Sequence, residues 1–141
     1  MITVMTLRRG EPADLAEIRT IQAASPGAAQ WDPTEYLHYD LFVAAHGIHL
    51  CGFLAARTLS HGECEILNLA VSPEFRRQGV GRSLMGALLE SFSGVIYLEV
   101  RPSNTAARLF YKSLGFQEVT TRPDYYQAPV EPAIVMKFHS C

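Results

Sequence analysis

Cysteine is scarce and shows no pairing pattern. Cys51, Cys64 and Cys141 are odd in number and widely spaced, which argues against a disulfide framework or a cysteine zinc motif. No segment is apolar for long enough to span a bilayer. The longest, Leu41 to Ala56, is broken by His46, Gly47, His49 and Gly52 and reads as two strands and a turn. Met1 to Gly10 lacks the apolar centre of a signal peptide, so a reducing cytoplasm is the expected setting and no membrane is expected as a partner. Charged residues make up only 18% of the chain and the formal net charge is -2. There is no general positive field to draw nucleic acid. The five histidines offer no ligand spacing beyond His46-x-x-His49 across a turn, and no metal is expected.

What is present is apolar and evenly spread. The 141 residues contain 48% hydrophobic residues, enough to bury a core, and they fit one domain, 1–141. No internal repeat, low-complexity tract or linker interrupts them. Ile2 to Leu7 reads as a strand. Leu15, Ile18 and Ile21 follow at helical spacing, with Asp14 and Glu17 resembling a capping box. Ser25-Pro26-Gly27 ends that helix. Asp32-Pro33-Thr34-Glu35 opens a second one, with Asp32 as cap and Pro33 at the first helical position. Strands follow at Leu41–Ala45 and Ile48–Arg57, then a turn at Ser60-His61-Gly62 and a strand at Glu65–Val71. Gly81–Phe92 reads as a helix with an apolar stripe. Val95–Val100 is the next strand, and Asn104–Leu114 is a helix closed by Gly115. Phe116–Val119 and Ala133–Phe138 end the series as strands. Hairpins mixed with strand-helix-strand crossovers predict a mixed α/β (α+β) sheet with helices on both faces.

One segment concentrates positive charge. Arg76-Arg77-Gln78-Gly79-Val80-Gly81-Arg82-Ser83 follows the strand and opens a helix. The first turn of a helix carries unpaired N–H groups and the positive end of the dipole. Glycine lets a bulky anion approach the main chain, and arginines add charge beside it. Three anion-binding patterns compete. A Walker loop would need a lysine after its second glycine, and none stands there. A dinucleotide fingerprint would need a third glycine where Leu84 stands. The third pattern, Arg/Gln-x-x-Gly-x-Gly/Ala, fits in full. A glycine-rich helix start with solvated arginines is the plain alternative.

That third pattern resembles the pyrophosphate turn of the GNAT superfamily of N-acetyltransferases, and the resemblance extends from about Ile66 to Phe138. Asn68-Leu69-Ala70-Val71-Ser72-Pro73 is similar to the family's cofactor strand. Leu98-Glu99-Val100-Arg101-Pro102-Ser103-Asn104 is similar to its next strand and loop, and Ala107 to Phe116 to its last helix. The closest likeness within the superfamily is to the bacterial ribosomal-protein alanine N-acetyltransferase (RimI) type. There Arg122-Pro123-Asp124-Tyr125-Tyr126 resembles a substrate loop. Ala28-Ala29-Gln30-Trp31 resembles an early segment that ends in Pro-Trp, with glutamine here in place of proline. The first forty residues match only loosely.

The resemblance implies a mixed, mostly antiparallel sheet in which a bulged strand splays from its neighbour to hold acetyl-CoA. The implied cofactor contacts are Leu69, Ala70 and Val71, then Arg76, Arg77, Gln78, Gly79, Val80, Gly81, Arg82, Ser83 and Asn104. The Val71 N–H is the implied donor to the thioester oxygen. Glu99 and Tyr111 match the family's general base and general acid. Trp31, Tyr125 and Tyr126 are candidates to line the cleft for a peptide end.

The residues bear on these roles independently. Glu99 interrupts the apolar run Val95–Val100, and alternation puts it on one face with Val95 and Tyr97. Burial among apolar residues helps a carboxyl group take protons near neutral pH. A strand-end glutamate paired with an arginine is the alternative. Tyr111 offers a phenol that is protonated at neutral pH, against the alternative of simple packing. Cys64 lies between Glu63 and Glu65, and neighbouring carboxylates raise a thiol's pKa, the wrong direction for a nucleophile. The expected activity is acetyl transfer from acetyl-CoA to a protein N-terminal α-amine, by resemblance the N-terminal alanine of a small-subunit ribosomal protein. An acetyltransferase for a small amine or another protein remains a rival, as does a non-catalytic acyl-CoA-binding module.

Overall fold

The computed structural model describes residues 5–25, 27, 29–126 and 130–140, with Asp124 described by its main chain alone. Among these residues seven strands form one sheet in the order β1-β2-β3-β4-β5-β7-β6. They are β1 (Thr6–Arg9), β2 (Asp40–His46), β3 (His49–Ser60), β4 (Glu63–Val71), β5 (Gly94–Val100), β6 (Gln117–Tyr126) and β7 (Glu131–Ser140). The helices are α1 (Leu15–Ala23), α2 (Val80–Ser91) and α3 (Thr105–Ser113), with short 3-10 turns at Pro12–Asp14, Pro33–His38 and Pro73–Phe75. Every strand pair is antiparallel except β4 with β5. The mixed, mostly antiparallel α/β sheet expected from the sequence is the observed fold.

Two apolar layers cover the sheet. On one face α2 and α3 press Val80, Leu84, Met85, Leu88 and Tyr111 onto Ile96, Leu98, Ile134 and Met136. On the other α1 and the 3-10 turn after it press Ile18, Ile21 and Tyr36 onto Val43, Leu50, Phe53 and Ala55. At roughly 1.5–3 kcal/mol for each fully buried aliphatic or aromatic side chain, these layers supply the main driving force for the fold.

Several local readings are corrected. Asp14 does not pair with Glu17. It accepts from the Glu11 N–H at 2.8 Å and from both terminal nitrogens of Arg8, so the capping box lies one turn earlier, at Glu11 and Asp14. Glu17 instead accepts from the Leu50 N–H. Asp32 does cap the next segment, accepting from the Thr34 N–H at 3.1 Å, but that segment is a 3-10 turn. The first strand begins at Thr6 within the described residues; Ile2, Thr3 and Val4, like Pro26, Ala28 and Cys141, lie outside them. The largest difference is β6, which runs on from Gln117 through Tyr126. The segment Arg122–Tyr126, read as a loop, pairs with β7. Alternation was hidden there by polar residues on an edge strand, where one side of the backbone faces solvent.

Candidate active site

The one parallel pairing among the described residues is also the shortest in register. β4 and β5 pair only where Glu63, Cys64 and Glu65 face Val95, Ile96 and Tyr97. Beyond that point they diverge. The cause is visible in the register of β4 with β3: Ala55 faces Asn68, but Ala56 faces Ile66. Leu67 is therefore an extra residue on β4. A bulge bends its strand and reverses the side-chain alternation after it. Accordingly, Cys64 and Ile66 point into the α2–α3 layer, whereas Ala70 and Leu67 belong to the α1 layer. The splayed strands enclose a cavity of about 340 Å³ lined by Leu67–Val71 on one side and by Leu98, Glu99 and Val100 on the other.

A second cavity of about 660 Å³ continues toward α2 and is lined by Val71, Phe75, Arg77, Gly79, Gly81, Arg82 and Phe110. Leu69, Val71, Arg76, Ala107 and Tyr111 line both, so the two form a passage through the sheet. Its entrance is strained. Arg77 has φ 63° and Gly79 φ 83°; a non-glycine residue there is uncommon and marks a site worth explaining. A Cβ on Gly79, the N-cap of α2, would meet nothing within 4 Å. The main chain is thus open to a ligand at a helix start. The cradle fits a pyrophosphate, and the unpaired β4 edge fits an extended arm, so the residues present suit acetyl-CoA. Gly81 differs: a Cβ there would lie 3.0 Å from the Phe110 ring. Its smallness serves helix packing.

The other residues expected at the turn divide by role. Val80 is buried in the core, 1% exposed. Arg82 donates to the Ser113 hydroxyl at 2.9 Å, Gln78 to the Glu74 carbonyl at 3.3 Å, and the Ser83 N–H to the Gly79 carbonyl. Arg76 reaches the carbonyls of Val71 and Ala24 and the Ser25 hydroxyl, each at 3.2 Å. It ties the end of α1 to the end of β4. Asn104 behaves similarly. Its Oδ1 accepts from the Ala107 N–H as the cap of α3, and its Nδ2 donates to the Gly27 carbonyl at 3.1 Å across the cleft.

Glu99 and Tyr111 both line the cavity between the strands, and they enter it from opposite faces. Ile96, Leu98 and Val100 point into the α2–α3 layer that also holds Tyr111, which leaves Glu99 on the other face. Glu99 Oε1 accepts from Arg122 Nη1 at 2.6 Å. The ion pair weighed as the alternative to a base is therefore real. Yet Oε2 is buried and has no hydrogen-bond partner among the described residues, so the pair occupies only half of the carboxylate. The Tyr111 ring is gripped by Phe110 and Phe116, with centroids at 5.3 and 5.5 Å. Burial raises its phenol above the ordinary value, with the Tyr126 phenol nearby adding to the effect. The same burial disfavours any thiolate beside it, so both anions are penalised together.

The α1 side of the cleft is held by a buried polar network that sequence reasoning missed. The Asn68 amide nitrogen contacts the Gln22 Oε1, the Tyr36 hydroxyl and the Ala29 carbonyl at 3.1, 3.1 and 2.9 Å. Tyr36 donates to Gln22 Oε1 at 2.6 Å, and Gln22 Nε2 to the Trp31 carbonyl at 2.6 Å. Burial pushes the Tyr36 phenol up to about 12. Only the alternation of Asn68 among apolar residues hinted at this.

The aromatic candidates separate. Tyr126 lines the cavity between the strands. Trp31 lines a different hollow, with Asp32, Glu35, Tyr36, Tyr39, Arg57 and Leu67. Tyr125 stacks under Arg122, at 4.2 Å from ring centroid to guanidinium carbon. Burial, with Asp40 behind it, pushes the Cys64 thiol up to about 11; the direction expected from Glu63 and Glu65 holds but the cause is desolvation. Among the described residues, no cluster of three or more His, Cys, Asp or Glu side chains could hold a metal ion, and no helix is long and apolar enough to cross a membrane.

Known proteins share this fold and part of this sequence. The sequence pattern of the acetyltransferase (GNAT) family matches residues 13–116. The N-alpha-acetyltransferase RimI of Mycobacterium tuberculosis is 31% identical over 146 residues, covering 96% of this chain and 91% of that one. The [ribosomal protein bS18]-alanine N-acetyltransferase of Escherichia coli K12 is 42% identical over 80 residues, 52% of this chain. The chain spans 54% of that enzyme in the match, and 32% of a Mycobacterium leprae protein to which it is 39% identical. The crystal structure of the ribosomal-protein-S18-alanine N-acetyltransferase from Escherichia coli superposes with a TM-score of 0.81 at 29% identity, over 97% of this chain and 94% of that one. The fold, the bulged strand, the open helix start and the matched sequence agree: the chain belongs to the GNAT family of acetyltransferases.

Proposed function

We propose that the chain, as one catalytic domain, transfers acetyl from acetyl-CoA to the α-amine of a protein N-terminus by direct attack. One observation carries this reading: Glu99 and Tyr111 enter one cleft from opposite faces of the sheet, with an open pyrophosphate cradle at its far end. Acetyl-CoA supplies the acetyl thioester. The main chain of Arg77 to Gly81 holds the pyrophosphate, the β4 edge from Leu69 to Val71 holds the pantetheine arm, and the Val71 N–H faces the developing oxyanion. Glu99 Oε2 takes a proton from the acceptor ammonium, which frees the nitrogen lone pair to form the C–N bond. The Tyr111 hydroxyl gives a proton to sulfur as the C–S bond breaks while the acylated nitrogen sheds its second proton to solvent, so an amide and a thiol leave.

The α-amine is favoured over lysine by chemistry. Its reference pKa of about 7.7–8.0, against about 10.4, leaves far more of it neutral in a cell. Relatives named as alanine N-acetyltransferases of a ribosomal protein, and one named an N-alpha-acetyltransferase, support the same class of acceptor, and the N-terminal alanine of such a protein is the first substrate to try. A panel of N-terminal peptides with acetyl-CoA, read by CoA release, tests the reading. Turnover with lysine side chains or small amines but with no N-terminus would overturn it.

A further inference from the structure

We propose that Arg122 is a positioning residue for the Glu99 carboxylate, holding Oε1 so that Oε2 alone is presented to the acceptor amine. The proposal rests on the assignment of Glu99 as base. Its ground is the asymmetry of one partly buried carboxylate. Oε1 is engaged by Arg122 Nη1, while Oε2 is buried with no partner among the described residues. Buried polar atoms are nearly always satisfied, and an orphan calls for an explanation. An arriving amine is the partner this oxygen lacks.

The sheet register makes the contact possible. Glu99 faces Val135 on β7, and Ala133, two residues along on the same face, faces Arg122 on β6. Arg122 therefore reaches diagonally across β7, and the small, fully buried Ala133 side chain leaves it room. The Arg122 side chain is 54% exposed, but it is not loose. The Tyr125 ring stacks on it at 4.2 Å, and Tyr125 is braced edge-on by Tyr126 at 5.0 Å. Tyr126 in turn stacks on Arg101, which pairs with Glu131 at 2.9 Å. A planar, stacked guanidinium fixes direction as well as charge, which an ammonium on a flexible stem does not. Tyr125 thus acts on Glu99 through Arg122.

A double-mutant cycle with Glu99→Gln tests the coupling, using whichever amine the parent enzyme acetylates fastest. Arg122→Ala should lower kcat about 10-fold or more, a part of the about 10²–10⁴-fold that a general base supplies. KM for acetyl-CoA and the melting temperature should hold. Arg122→Lys should recover part of the loss, and it carries the same cycle if the alanine variant does not fold. In the Glu99→Gln background the Arg122 substitution should cost nothing further. Parental kcat in Arg122→Ala with an impaired Glu99→Gln would overturn the positioning role alone. So would an Arg122 effect that persists undiminished without Glu99, or one confined to KM of the acceptor. Parental kcat in Glu99→Gln would remove the base assignment, and this proposal with it.

Discussion

Along the wall that runs from Leu69 to Arg82, the cleft is made of backbone. An unpaired strand edge, a turn with Arg77 and Gly79 at positive φ and the start of α2 lie within one contiguous segment. The opposite wall is made of side chains brought together from far apart. Glu99 meets Arg122 over 23 residues, and Asn68 meets Gln22 over 46 and Ala29 over 39. The first wall has the chemistry of a constant ligand, since any acyl-CoA presents the same pyrophosphate and the same pantetheine amides. The second has the chemistry of a variable one. Backbone recognition survives most side-chain changes; a side-chain network is altered by any one of them.

The largest effects are expected where the two walls meet. Glu99→Gln keeps shape and removes the base, and Tyr111→Phe keeps the ring and removes the acid. Each should lower kcat by about 10²–10⁴-fold and leave acetyl-CoA affinity close to parental. The pH profiles should separate them. Above the α-amine's reference pKa of about 7.7–8.0 the acceptor is already neutral, so Glu99→Gln should regain activity as pH rises through that range. Tyr111→Phe should show no such recovery, because sulfur still lacks its proton. Steady-state rates at fixed saturating acetyl-CoA across that range decide the matter; parallel profiles would break the division of roles.

The backbone wall can be probed by its two glycines. At Gly79 a side chain would stand in open space but at φ 83°, a conformation that costs an ordinary residue about 1–2 kcal/mol. At Gly81 it would press on Phe110, and overpacking costs about 1–3 kcal/mol. Gly79→Val should therefore lose CoA affinity well beyond its loss of melting temperature. Gly81→Val should lose melting temperature first, with CoA affinity following. Calorimetric titration beside thermal unfolding compares them, and the reverse order would exchange the roles given to the two positions.

The side-chain wall answers to Asn68. This residue is 6% exposed, and its loss takes the donor from the part-buried Ala29 carbonyl while Tyr36 and Gln22 keep each other, at about 1–3 kcal/mol for such a group. Asn68→Ala should lower stability by that order and raise KM for peptide by up to about 10-fold, equivalent to about 1.4 kcal/mol. KM for acetyl-CoA should not move. An equal rise in both would show that the network supports the whole cleft.

The same contrast explains what could be read before the structure. The backbone wall was legible because its parts are adjacent in sequence: a strand, Pro73, two glycines and a helix stripe from Val80 to Leu88. Its bulge was implied by resemblance, although nothing in Ile66-Leu67-Asn68 marks Leu67 as the extra residue. Glu99 and Tyr111 were likewise legible from their matched segments, and both line the cavity. The acceptor wall was not. Trp31, Tyr125 and Tyr126 were grouped by resemblance and aromatic character, yet Trp31 lines a hollow of its own, while Tyr125 and Tyr126 touch edge-on and only Tyr126 lines the cavity between the strands. Arg122 appeared only as one letter of a presumed loop. Its meaning depends on the register of three strands, which no local spacing encodes.

Arg76 is the residue whose sequence role and structural role differ most, and its substitution should have the smallest effect of those considered. It belongs by position to the backbone wall and by contact to the other. Its guanidinium bonds the Val71 carbonyl beside the cradle and both Ala24 and Ser25 at the end of α1. The backbone donors at Arg77 to Gly81 remain when it is removed, so CoA affinity should fall less in Arg76→Ala than in Gly79→Val. Ala29, Trp31 and Gly27 would keep their Asn68, Gln22 and Asn104 anchors. What is lost is a set of hydrogen bonds worth about 0.5–1.5 kcal/mol each before solvent competes for them. Exposure of two of these three bonds brings the total toward the lower end. Arg76→Ala should therefore raise KM for peptide roughly 2- to 5-fold, equivalent to under about 1 kcal/mol, with a smaller change for acetyl-CoA. A loss of CoA affinity with peptide KM unchanged would place Arg76 on the pyrophosphate after all, and the strap between the two walls would then rest on Asn104.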